Sequence, residues 1–200
     1  MAGTPGEMTR KTEDGQALVE FALTSVILMV LLAGLLDLSR AFHYTIGLEG
    51  AARAGARHGA FFNTPTNQQP YLDDADIKTA VDQVLLGDGL NASTLRASGS
   101  CISPTDGNTW ANPPYATTAF PTNANSPWLY ICYDSQGPLK AGTKATPPPV
   151  GDATYTGSDL VVVVLARYGL LGGLSSEYLN QGASLLSIPL TAFQHFGVQG

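Results

Sequence analysis

Charge is scarce in this chain: only 13% of its 200 residues are Asp, Glu, Lys or Arg, and the formal net charge is −6. Residues 1–15 contribute −1 (Arg10 and Lys11 against Glu7, Glu13 and Asp14), which leaves −5 for the remainder. With no basic patch, the electrostatic footprint of a nucleic-acid-binding protein is missing. Missing too are the short strings that carry catalysis or tight phosphate binding, since no GxSxG elbow, phosphate loop, HExxH or CxxC occurs. His43, His58 and His195 are scattered along the chain. Asp73, Asp74 and Asp76 lack the glycine and closing glutamate of a calcium loop, and they suit the acidic first turn of a helix instead. These absences point away from an enzyme and give no reason to expect a metal or a cofactor.

Proline is absent between Pro5 and Pro65, and inside that stretch lies an apolar run at residues 17–38 with no charge between Phe21 and Leu36. A bilayer core of roughly 30 Å takes about 20 helical residues, whereas the apolar core of a secretory signal is only about 7–15. The run is therefore read as a transmembrane anchor, and the small-x-small triplet at Ala52, Arg53 and Ala54 lies too far beyond it to mark a signal-peptidase site. Helical character continues past the run, so one long helix is expected over about residues 16–62, roughly 70 Å in length. Arg10 and Lys11 precede the span while Arg40, Arg53 and Arg57 follow it, so charge alone does not decide the orientation.

Cysteine is nearly absent. Cys101 and Cys132 are the only two, both in the C-terminal part. An even count there suits an oxidising compartment and places that part outside the cell membrane. A bond between them would close a loop of about 32 residues, worth on the order of 3–4 kcal/mol. Without neighbouring histidines they are too few for a metal site, and two free thiols are the remaining alternative.

Beyond a turn-rich linker at residues 63–70, Ile77, Ala80, Val81, Val84 and Leu85 share one face of an amphipathic helix that a Gly-Asp-Gly turn at 87–89 ends. Residues 93–102, Trp128–Tyr133 and 159–168 read as strands, the last so rich in valine that it belongs at the centre of a sheet. Residues 183–196 fit strand or helix. Asn91, Ala92 and Ser93 form a sequon that supports no function by itself. The expected fold class is α+β: a leader at 1–15, a long helix at 16–62 with its transmembrane part at 17–38, and a small extracytoplasmic domain at 63–200 built on an antiparallel sheet with one disulfide. Gly47, Ala51, Gly55 and Gly59 recur every four residues and form a smooth ridge on the long helix. Either the chain's own domain or a partner helix packs on it.

Glu20 stands at the start of the apolar run, where a carboxylate is costly and so points to function, or else sits at headgroup level. It belongs to the string GQALVEF at 15–21. Together with the leucine-rich span, DLSRAF at 37–42 and AARAGAR at 51–57, this string resembles the TadE-like proteins of tight-adherence (Flp-type) pilus systems. The valine strand and YGLL at 168–171 are more loosely similar. The resemblance implies a prepilin-like precursor cut by a prepilin peptidase between Gly15 and Gln16, which places Glu20 at the fifth position of the mature chain. The new amine at Gln16 could then neutralise Glu20 of the same or a neighbouring chain. The implied protein is a minor pilin or pseudopilin in the cytoplasmic membrane, with its N-terminus inside. Its implied partners are the peptidase, other pilin or pseudopilin subunits, the assembly machinery and the lipid bilayer. The rival reading is an uncleaved, TadG-like anchored ectodomain.

Overall fold

The computed structural model describes residues 7–61, 70–71, 73–96, 115–133, 157–170 and 187–198. They fall into two compact units, Met1–Arg40 and Ala41–Gly200.

Helix α1 spans Glu7–Ala60 and crosses that boundary. Its long proline-free sequence of leucine, alanine and valine offers nothing to break the backbone ladder. In the first unit the large apolar side chains from Leu18 to Leu38 are all 51–73% exposed, an arrangement that makes no sense in water. The stretch is the one described helix long and apolar enough to cross a membrane. Its hydroxyls are quenched inside the helix: Thr24 Oγ1 donates to the Glu20 carbonyl at 2.8 Å and Ser25 Oγ to the Ala22 carbonyl at 2.9 Å. Neither therefore presents an unsatisfied donor to lipid.

In the second unit, α2 (Asp74–Gly87) packs antiparallel against the C-terminal half of α1. Asp73 caps α2, its side chain accepting from the Asp76 amide, and so explains the acidic start as helix-end chemistry. At the other end Gly89 adopts φ +74°, while the Leu90 amide bonds the Leu85 carbonyl at 2.8 Å and the Gly89 amide the Leu86 carbonyl at 3.1 Å. This is the glycine-dependent stop that the Gly-Asp-Gly turn calls for.

Four strands follow: β1 (Thr94–Leu95), β2 (Trp128–Tyr133), β3 (Asp159–Gly169) and β4 (Ser187–Gly197), hydrogen-bonded in the order β1-β2-β3-β4. β3 is internal and buried on both faces, as its valine run demands. Leu160, Val162, Val164 and Ala166 face the helices with Tyr44, Leu48, Ile77, Val81 and Leu85. Val161, Val163 and Leu165 face the other way, under Tyr115 and Phe120. A short 3-10 turn at Thr117–Ala119 belongs to that second cover, and its Ala119 carbonyl accepts from the Tyr130 hydroxyl at 2.9 Å.

The expected antiparallel sheet needs correction. β2, β3 and β4 are antiparallel, but β1 pairs with β2 in parallel, Thr94 opposite Trp128, so the sheet is mixed. Parallel neighbours need a connection of about a dozen residues or more, and the chain between Leu95 and Trp128 is ample. Of the expected strand at 93–102, residues 94–95 are extended and those from 97 onward lie outside the described residues. Residues 187–197 resolve the last ambiguity in favour of strand. The globular unit also takes in residues 41–60 of α1, which the expected boundary at 62/63 left with the stalk.

Candidate functional site

Three sets of residues were singled out in the sequence, and the structure treats each differently. The first is the ridge. Gly47, Ala51, Gly55 and Gly59 are all buried, and a Cβ placed on them shows why they are small. At Gly47 it would lie 2.7 Å from Leu90 Cδ1. At Gly55 it would collide with Val81 of α2, with Ile77 and Val162 each at 3.5 Å. At Gly59 it would meet Leu160 of β3 and stand 2.6 Å from Ile77 Cδ1. The ridge is thus the seat of α2 and the sheet, and backbone closeness offsets the roughly 1 kcal/mol that each helical glycine costs. A second small row that sequence reading passed over, Ala52, Ala56 and Ala60, is buried beside it. Its spacing of four was the available signal.

The second set is Gly15, Gln16 and Glu20, all exposed on α1. A Cβ at Gly15 would find nothing within 4 Å among the described residues, so no contact among them requires glycine there. The third set is the cysteine pair. Cys132 is buried in β2 on the Tyr115–Phe120 face. Cys101, and with it the proposed bond, lies outside the described residues.

Among the described residues, polar contacts in the globular unit are dispersed. His43 Nε2 donates to the Asp88 carbonyl at 3.2 Å, His58 Nε2 to Asp76 Oδ2 at 2.8 Å, and His195 Nε2 lies 3.0 Å from Asp159 Oδ1. Among the described residues no three His, Cys, Asp or Glu side chains converge as metal ligands would. Tyr133 hydrogen-bonds Asp74 and packs edge-on against Tyr71 at 5.0 Å. Burial pushes its hydroxyl far above the ordinary range, and the Asp74 carboxylate raises it further. Burial likewise raises Tyr44 to about 12. Phenols held neutral in this way serve as packing groups.

Sequence reading also missed Asp82, which ties α2 to β1. Its Oδ1 accepts from both the Ser93 amide and the Ser93 hydroxyl at 2.7 Å, and Lys78 pairs with its other oxygen. Burial works to raise its pKa, but the bonds from Lys78 and Ser93 prevail and lower it. A depressed carboxylate stabilises the fold above its ordinary value of 3.8, and that contribution disappears as the pH falls through the lower folded value. Asp82→Asn is expected to cost about 1–3 kcal/mol at neutral pH and to flatten the acid limb of a stability profile. Urea midpoints measured from pH 7 down to pH 3 check this, and an unchanged acid limb would mean that Asp82 carries none of it.

Residues 15–57 match the TadE-like protein family. No curated protein matches the chain, and no solved structure does. The matched stretch contains the exposed Gly15–Glu20 segment, the whole apolar run and most of the small-residue ridge. It ends before α2 and the sheet begin.

Proposed function

We propose that this chain is a minor pilin or pseudopilin, a non-catalytic subunit that is anchored in the cytoplasmic membrane and used in assembling a tight-adherence (Flp-type) pilus. The observation that carries the reading is Gly15. It opens the family match, directly precedes the exposed apolar segment and has, among the described residues, no packing reason to be glycine. A requirement imposed from outside the chain, by a prepilin peptidase that accepts glycine before the cut bond, accounts for it. The N-terminus then lies in the cytoplasm and the globular unit outside, where other pilin subunits are its partners and Glu20 its charge for pairing. N-terminal sequencing of protein extracted from membranes that contain an active prepilin peptidase is expected to begin at Gln16. A chain that keeps residues 1–15 there would replace this reading with an uncleaved, TadG-like anchored ectodomain.

An external location also makes a bond between Cys101 and Cys132 the expected state. Non-reducing mass analysis should find the two peptides linked and the intact mass about 2 Da below that of the reduced chain, the loss of two hydrogen atoms as two protons and two electrons, the electrons passing to a disulfide or quinone-linked oxidant of the external compartment. Two alkylatable thiols in protein taken from its native compartment would remove the staple.

A further inference from the structure

We draw no further inference here: the strongest candidate, the outer edge of β4, an 11-residue strand without a charged side chain that has no neighbouring strand on that side among the described residues, carries nothing because nothing in the structure shows what pairs with it.

Discussion

Gly55→Leu is expected to destabilise the globular unit by more than about 3 kcal/mol, a large share of the 5–15 kcal/mol that holds an ordinary domain together. A single Cβ at position 55 already collides with Val81, and Ile77 and Val162 close the remaining space at 3.5 Å each. Three of the atoms in the way belong to β-branched side chains with little rotameric freedom, so they yield only if α2 moves. α2 is held at both ends, by Asp82 on Ser93 and by the bonds from His43 and His58, so movement breaks further contacts. Leucine would add three more carbons to the collision, beyond the roughly 1–3 kcal/mol that overpacking by a methylene or so costs. Gly50→Ala is the control. Its nearest neighbour, Val84 Cγ1, stands at 3.6 Å, an ordinary contact, so the alanine should stabilise the helix by up to about 1 kcal/mol. Denaturation midpoints of the detergent-solubilised chain distinguish the two, and a Gly55→Leu midpoint equal to the unmodified one would mean that α2 does not sit on the ridge.

Helices and the valine strand were legible because each has a local cause. Periodicity placed the apolar face of α2, the Gly-Asp-Gly turn stopped it, and a run of β-branched residues required burial on both faces. The ridge was legible as a ridge, but what packs on it depends on where the chain returns after residue 70. Spacing in the sequence does not encode that return. The parallel pairing of β1 was hidden for a similar reason, since a two-residue strand takes its direction from the connection that delivers it. Asp82 escaped notice because its partner Ser93 is a turn residue eleven positions away, with no pattern linking the two.

Gly15→Leu is expected to leave full-length precursor in the membrane, and Glu20→Gln to be cut normally yet fail in association with partner subunits. The two variants separate recognition before cleavage from use after it. At position 15 there is open space among the described residues, so leucine introduces no clash with them and improves local helix propensity by somewhat less than 1 kcal/mol. On the proposed reading the loss of processing then arises in a prepilin peptidase, whose site for glycine a bulky side chain would obstruct. At position 20 the carboxylate is exposed at the start of the apolar segment, and its backbone carbonyl is occupied by Thr24 Oγ1. Glutamine keeps the length, removes the charge and lowers the cost of membrane residence, by less than about 3 kcal/mol this near the edge. Insertion and cleavage should therefore survive. What would disappear on that reading is the attraction between the Glu20 carboxylate and an amine newly exposed at Gln16, an ion pair whose value rises in the low-dielectric surroundings of packed helices. N-terminal sequencing reads the first step and crosslinking to neighbouring pilin subunits reads the second. Normal cleavage of Gly15→Leu would dissociate the glycine from processing, and unaltered crosslinking of Glu20→Gln would leave Glu20 as a headgroup-level carboxylate with no part in assembly.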